Sequence, residues 1–313
     1  MTEVTAAGAL LLAFVGDAMF GDPPNRLHLV AWMGRWIAWA RRRSTSRNHS
    51  VRFLVGGLVV GIGATVVAVA GVWIEIVCRE CPWWAAVLIQ GVVLKYTFSV
   101  RCLGGAAKQV HAALQANDLA QARGLIAYHL VSRDVTELDA SQISAATIES
   151  VAENTSDSVV APLFYFLIAG LPGALVYRFV NTCDAMLGYR TEELEWFGKP
   201  AARIDDVLNY IPARITAVLM LIPYGMFAGR LHSATAIWLR DRGLTASPNA
   251  GQPMSAAAGV LGISLEKQDH YLLGSGQPLP NGDSIRQSVR LLRSTSFAAV
   301  ILFTVVLVLR GAV

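Results

Sequence analysis

The sequence predicts an all-α, polytopic membrane protein with broken or re-entrant helices and a helical cytoplasmic insertion. Composition is the first indication: of 313 residues, 54% are hydrophobic and only 15% charged, with mean hydropathy +0.46. A soluble domain carries about 25% charged residues. The second is the set of apolar runs at about 4–20, 51–77, 83–100, 158–180, 207–229 and 295–309. Each approaches the roughly 20 residues needed to cross the hydrocarbon of a bilayer. The third is that two of these runs are interrupted. Pro162 and the stretch Gly170 to Gly173 break one, and Pro212, Arg214 and Pro223 break the other. Backbone groups freed at membrane depth must be satisfied by protein or by a water-filled cavity, so both runs are expected to dip into a polar cavity.

Taken in order, the first run follows a leader without Lys or Arg and lacks a small-residue cleavage site before Asp17. It reads as a retained helix rather than a signal peptide. Arg35, Arg41, Arg42, Arg43 and Arg47 lie between the first two runs and Arg52 at the start of the second, and the positive-inside rule puts that loop in the cytoplasm. The glycines at 56, 57, 61 and 63 in the second run suggest close helix packing. The tryptophans at 32, 36, 39, 73, 83 and 84 suggest interfacial anchors. Cys78 and Cys81 form a C-x-x-C without a second pair or a nearby His, which points to a short disulfide or two idle thiols rather than zinc.

Residues 104–148 read as helical, with Asn117 and Asp118, then Ser132 to Asp134, as caps or turns. Turn-forming stretches follow at 247–251 and 274–282. The chain is expected to be one membrane domain, 1–313, with 101–157 and 230–294 as cytoplasmic insertions. Its net charge of +4 does not suggest nucleic acid, because the basic residues cluster beside the spans.

Three polar clusters abut apolar runs. Glu149, Glu153 and Asp157 are spaced four apart, so a straight helix would stack them on one face. Like charges at that spacing repel, and a hard cation such as Mg²⁺ carrying phosphates would relieve them. Asn181, Asp184, Gly188, Tyr189 and Arg190 form the second cluster. Lys199, Arg203, Asp205, Asp206, Asn209 and Arg214 form the third, with Asp205 and Asn209 on one helix face. Carboxylates hold a metal through a few oxygens, and guanidinium forks grip phosphate. The same residues also allow plain ion pairs, Arg203 with Asp206 and Lys199 with Glu195. Ionisable groups at membrane depth are costly and usually functional, and the three clusters together favour a site. Asp22 with the two prolines after it reads as a helix-ending turn, and His28 as a hydrogen-bonded interfacial histidine. The turn Ser247 to Gln252 offers backbone N–H groups to a phosphate.

The order of these motifs resembles the CobD/CbiB membrane proteins of cobalamin biosynthesis, the adenosylcobinamide-phosphate synthases. The resemblance runs from Asp17, Gly21, Asp22, Pro23, His28 and Gly34 through E-S-x-A-E-N at 149–154, with Asp157, Ala161 and Pro162. It continues with Asn181, Thr182, Asp184, Gly188 and Tyr189, then A-R-x-D-D-x-x-N-x-x-P-A-R at 202–214. It closes on S-P-N-A-G at 247–251 and on Ala258 and Gly259. Leu29 departs from the family's proline. Gln252, Pro253 and Met254 stand where the family often has an aromatic, Pro and Glu.

The resemblance implies an ATP- and Mg²⁺-dependent, ADP-forming amide ligase that joins adenosylcobyric acid to aminopropanol or its phosphate. It implies catalytic roles for Glu149, Glu153, Asn154, Asp157, Arg203 and Asp206, the last accepting the amine proton. Lys199, Arg203, Arg214, Asn181, Asn209, Ser247 and Asn249 would hold substrate and phosphate. Glu149, Glu153, Asp157, Asp184 and Asp205 would hold Mg²⁺. The expected setting is the cytoplasmic membrane among its lipids, with the site facing the cytoplasm and the chain alone, self-associated or in complex with late cobalamin-pathway enzymes. A Mg²⁺-dependent membrane phospho- or prenyltransferase and a transporter are the alternatives. The first lacks its D-G-x-x-A-R string, and the second lacks a visible inverted repeat.

Overall fold

Among the described residues, six helical stretches are long and apolar enough to cross a membrane, at Glu3–Phe20, His49–Arg79, Trp83–Gln115, Ala140–Leu187, Tyr210–Phe227 and Gly282–Gly311. Each contains or overlaps one of the six apolar runs, so the chain is an integral membrane protein. The computed structural model describes residues 3–24, 26, 28–43, 48–131, 134–189, 191–227 and 229–312. Arg47, the Ser132–Arg133 turn and Arg190 lie outside them.

The helices are α1 (Glu3–Phe20), α2 (Leu29–Arg43), α3 (His49–Arg79), α4 (Trp83–Lys95), α5 (Val100–Gln115), α6 (Leu119–His129) and α7 (Ala140–Thr155). A π-helical turn at Ser156–Val160 leads into α8 (Ala161–Leu187), α9 (Glu195–Leu208), α10 (Tyr210–Phe227), α11 (Leu231–Asp241) and α12 (Gly251–Leu261). A hairpin of β1 (Leu265–Lys267) and β2 (Tyr271–Leu273) precedes α13 (Gly282–Gly311). The helical stretch expected over 104–148 is therefore interrupted twice. The first break is at Asn117, whose φ is 56°, and Asp118 then caps α6 by accepting from Gln121 N at 2.8 Å. α7 starts on a capping box between Asp139 and Gln142, which satisfies two orphan N–H groups reciprocally. The hairpin is the one departure from an all-α chain among the described residues.

Residues Met1–Ser99, Ala161–Asn209 and Val300–Val313 pack into one compact unit, and Val100–Val160 with Tyr210–Ala299 into a second. In the first unit, Ile37, Val60, Phe179, Leu187 and Phe197 are among the buried side chains of a core that joins α2, α3, α8 and α9. α3 presses closely on its neighbours. A Cβ on Gly56 would fall on the Phe197 carbonyl, and one on Gly63 on the Phe179 ring. The predicted close packing thus uses two of the four glycines, since nothing lies within 4 Å of a Cβ on Gly61 and Gly57 meets only ordinary contacts. Leu54, Leu58, Ile62, Val66, Val69 and Trp73 form an exposed apolar stripe along α3, as expected of a lipid-facing surface.

The break read at Gly170 is present. Ala169 (φ −135°, ψ 21°) and Gly170 (φ 63°, ψ −153°) leave the helical region inside α8. Charged side chains satisfy one freed N–H and one freed carbonyl. Glu75 Oε1 accepts from Leu171 N at 2.9 Å, and Arg310 Nη1 donates to Leu167 O at 2.9 Å. Gly170 occupies backbone space that is essentially glycine-only and costs other residues about 1–3 kcal/mol. An added Cβ would also strike the Glu75 carboxylate. Gly170→Ala is expected to destabilise the protein by roughly 3 kcal/mol, the sum of that strain and a displaced hydrogen bond. Thermal unfolding in detergent checks this, and an unchanged midpoint would contradict it.

In the second unit α7 is the hub. Ile143 through Ala152 are buried without interruption, and the helix packs against α5, α6, α12 and β1. Every residue of α12 is buried. Asp241, at the end of α11, accepts from Gly274 N at 2.7 Å and from Arg240 at 2.6 and 2.8 Å. These bonds outweigh burial and hold its carboxyl below the usual range.

Candidate functional site

The first unit assembles an acidic cluster on two helices. Tyr177, Asn181 and Asp184 occupy positions i, i+4 and i+7 of α8, which share a face. Asp205 and Asn209 lie four apart at the end of α9. Gly198 lets α9 approach the end of α8, where a Cβ would collide with the Leu187 carbonyl. Asp205 is 8% exposed and Asn209 2%. Asn209 Nδ2 donates to Asp205 Oδ2 at 2.8 Å, and Asn181 Nδ2 donates to Asp205 Oδ1 at 3.3 Å. Among the described residues, the hydrogen-bond partners of Asp205 are both neutral amides. Burial above all, then repulsion from Asp184, raises the Asp205 pKa above the ordinary carboxylate range; the two amide bonds lower it only in part, and Asp206 adds to the rise.

The expected cations stand close by in sequence but engage weakly. Arg203 lies 3.7 Å from Asp206 and Lys199 3.9 Å from Glu195. Both are the ion pairs the sequence allowed, at exposed positions where such pairs contribute about 0–1 kcal/mol. The Lys199 amine also sits 4.2 Å above the Trp196 ring. The amides of Asn181 and Asn209, expected to hold substrate, donate to Asp205.

The second unit carries the acid ladder. Glu149 is buried (6% exposed) and Glu153 is half-buried on α7, while Asp157 falls in the π-helical turn. That wider i→i+5 turn shifts Asp157 from the phase of a straight helix; such bulges are frequent at functional sites. Beside the acids runs a polar column. Ser150 Oγ donates to Leu130 O at 2.8 Å, Asn154 Nδ2 to Ser150 O at 2.9 Å, and Ser158 Oγ to Asn154 Oδ1 at 3.2 Å. Arg214 donates to Tyr210 O at 2.6 Å and to Asn249 Oδ1 at 3.3 Å. Its guanidinium lies 3.5 Å over the Tyr210 ring. Ser247 Oγ accepts from Asn249 N at 3.3 Å and so closes the turn ahead of α12. Met254, where the resembled family often has Glu, is 3% exposed within α12.

A third polar group lies in the first unit. Lys95 Nζ is 3.0 Å from Asp17 Oδ1 and 2.6 Å from Asp22 Oδ1, and Ser99 Oγ donates to Asp22 Oδ2 at 2.7 Å. His28 Nε2 is 3.9 Å from Asp22, and its Nδ1 accepts from Val30 N at 3.2 Å. Burial opposes ionisation of Asp22, yet the nearby His28 with the bonds from Lys95 and Ser99 holds its pKa well below the usual range. The cluster borders a cavity of about 500 Å³ lined by α1 and α4. Lys95 and Ser99 were not singled out from the sequence. A lone lysine in an apolar run was the available signal.

No group of three or more His, Cys, Asp or Glu side chains forms a ready metal cage among the described residues. The four cysteines are free thiols. The acidic cluster offers only oxygen donors, which suits Mg²⁺ rather than zinc. Mg²⁺ usually takes one or two carboxylates and completes its shell with water and substrate phosphates. Asp205, repelled by Asp184 and Asp206, fits that mode.

A family profile described as CobD/Cbib protein matches residues 10–295. The chain belongs to the CobD/CbiB family. A "Cobalamin biosynthesis protein CobD" of Dehalococcoides mccartyi is 42% identical over 266 residues, covering 84% of this chain and 85% of that protein. A "Probable cobalamin biosynthesis protein CobD" of Methanothermobacter thermautotrophicus is 39% identical over 306 residues, covering 97% and 96%. A "Cobalamin biosynthesis protein CobD" of Photorhabdus laumondii is 37% identical over 264 residues, covering 82% and 81%. No solved structure matches significantly. The CobD/CbiB profile spans the acid ladder, the acidic cluster and the Asn249 turn together.

Proposed function

We propose that this chain acts in cobalamin biosynthesis as an ATP-dependent amide ligase, joining a corrinoid carboxylate of adenosylcobyric acid to aminopropanol or its phosphate. The observation that carries the reading is the buried Asp205, held by two amides and raised in pKa beside Asp184 in a chain of this family. A carboxylate is a poor acyl donor because its oxygen leaves poorly. In the proposed reaction the corrinoid carboxylate attacks the γ-phosphorus of ATP and ADP leaves. The amine then attacks the acyl carbon of the acyl phosphate, losing a proton, and inorganic phosphate departs.

Such chemistry gathers several anions, so it needs preorganised counter-charge. In the first unit Asp184 and Asp205 would hold Mg²⁺; in the second, Glu149, Glu153 and Asp157 are proposed separately as acids that hold Mg²⁺ or orient its waters. Bound there, Mg²⁺ would neutralise nucleotide phosphates. Arg203, Lys199 and Arg214 are assigned to phosphate; the long, exposed ion pairs of Arg203 and Lys199 leave those two able to turn toward one. Asp206 is assigned to the amine proton. The reaction is proposed to take place at the cytoplasmic face of the cytoplasmic membrane.

The test is incubation of the purified protein with ATP, Mg²⁺, adenosylcobyric acid and each amine in turn, read by mass spectrometry. Amide product with one ADP per bond is expected, and Mg²⁺ removal should abolish it. AMP in place of ADP, or unchanged corrinoid with both amines, would overturn the reading.

A further inference from the structure

We infer that Tyr177 is a positioning residue for the acidic cluster: its hydroxyl fixes the Asn209 amide so that an N–H is presented to Asp205. The inference rests on the cation-binding role proposed above for Asp205.

Tyr177 is fully buried, and its hydroxyl donates to Asn209 Oδ1 at 2.7 Å. The same amide donates through Nδ2 to Asp205 Oδ2 at 2.8 Å. A side-chain amide has an acceptor end and a donor end of nearly equal shape, and only its surroundings decide which way it points. Here the carboxylate selects the orientation, and the hydroxyl, which can donate or accept, anchors it by giving its proton to Oδ1. The reverse would aim the amide oxygen at a carboxylate oxygen. With Asn181 on Oδ1, each Asp205 oxygen accepts one amide N–H. A carboxylate has about four lone-pair sites, so the two amides set its plane without filling them.

The tyrosine is itself held. Tyr165 stacks on it with ring centroids 5.2 Å apart and planes 11° from parallel. The Tyr165 hydroxyl donates to Leu208 O at 2.9 Å, satisfying one of the carbonyls a helix leaves open at its C-terminus. Two stacked tyrosines of α8 therefore grip the end of α9 where Asp205 and Asn209 stand. Only the bond from Tyr177 reaches Asp205 through a side chain. Nothing in the apolar run marked Tyr177 except its place four residues before Asn181 and seven before Asp184.

Outer partners that orient a metal ligand typically contribute 10–100-fold in metal affinity. Mn²⁺, used as the probe ion, is titrated into the full chain in detergent, with and without ATP, and followed by electron paramagnetic resonance. Tyr177→Phe, which keeps the stacked ring, is expected to weaken Mn²⁺ binding about 10-fold. Tyr165→Phe, which loses only the bond to Leu208, should change it less than about 2-fold on the same scale. In an Asn209→Ala background, Tyr177→Phe should cause no further loss, because the two act in series. Unchanged Mn²⁺ affinity in Tyr177→Phe, a loss that adds in full to that of Asn209→Ala, or no Mn²⁺ binding by wild type would each overturn the inference. Amide formation by wild type is measured in parallel. If product is absent while the 10-fold shift is present, the reaction falls and the positioning role stands.

Discussion

Asp205→Asn is expected to lower ATP-dependent amide formation by about 10³-fold, several kcal/mol of lost charge stabilisation, while leaving a folded protein that loses less stability than wild type between pH 5 and pH 8. The two halves of this result separate a site residue from a structural one. In the protein without metal, the Asp205 pKa is raised by burial and by Asp184, so the folded state holds the proton more tightly than the unfolded state. Stability is then lost as pH climbs from the ordinary carboxylate range through the raised value. Above that range an ionised Asp205 burdens the fold; Asn removes this pH dependence, at the cost of setting its own NH2 against one of the two amide donors. Metal must displace the same proton, so Mg²⁺ affinity in wild type should weaken as pH falls. Thermal unfolding at pH 5 and pH 8, paired with the product assay, reads both halves. A midpoint for Asp205→Asn that falls as steeply from pH 5 to pH 8 as that of wild type, or full turnover, would refute this account.

The second large effect is expected at Lys95. Its ammonium neutralises Asp17 and Asp22 from a side chain only 12% exposed, and Asp17 is 2% exposed. Removing one partner of a buried ion pair costs about 3–5 kcal/mol, because the remaining charge is left without compensation. Lys95→Met should therefore destabilise the protein by about that amount in chemical denaturation. Adding Asp17→Asn and Asp22→Asn to Lys95→Met should recover most of the loss, since apolar or neutral replacements of a whole buried pair are often tolerated. The low Asp22 pKa makes a matching acid effect. Its stabilisation is complete at neutral pH and is lost as pH falls below about 4, the ordinary carboxylate value. A triple variant no more stable than Lys95→Met would show that the lysine acts through packing instead.

Hydropathy carried most of the fold into the sequence, because a bilayer demands long apolar segments and little else. The six runs, the glycine contacts at Gly56 and Gly63, the Asp118 cap and the break at Gly170 all follow from single-residue chemistry. The pairing of Asp205 with Asn209 follows from helical spacing. The shift at Asp157 does not: a π turn is a change of hydrogen-bond register that no residue type in 156–160 announces. The hairpin 265–273 escaped because two three-residue strands are too short to display alternation. Tyr177 and Lys95 were hidden for one reason. Each lies within an apolar run, and only the partner brought to it by another helix gives its polar atom a role. That the amides of Asn181 and Asn209 bond to Asp205 is not legible either, since sequence spacing says which residues share a face and not which way a side-chain amide turns.

The joint in α8 bears on how the chain matures. Its two supports come from opposite sides of the joint in sequence, Glu75 made long before it and Arg310 well over a hundred residues after it. During synthesis, the Leu167 carbonyl emerges into the bilayer before its cationic partner exists. Until Arg310 arrives, that half of the break must be hydrated or held by the insertion machinery. Truncation ahead of Arg310 should therefore yield a chain that inserts yet is recognised as unfinished and degraded.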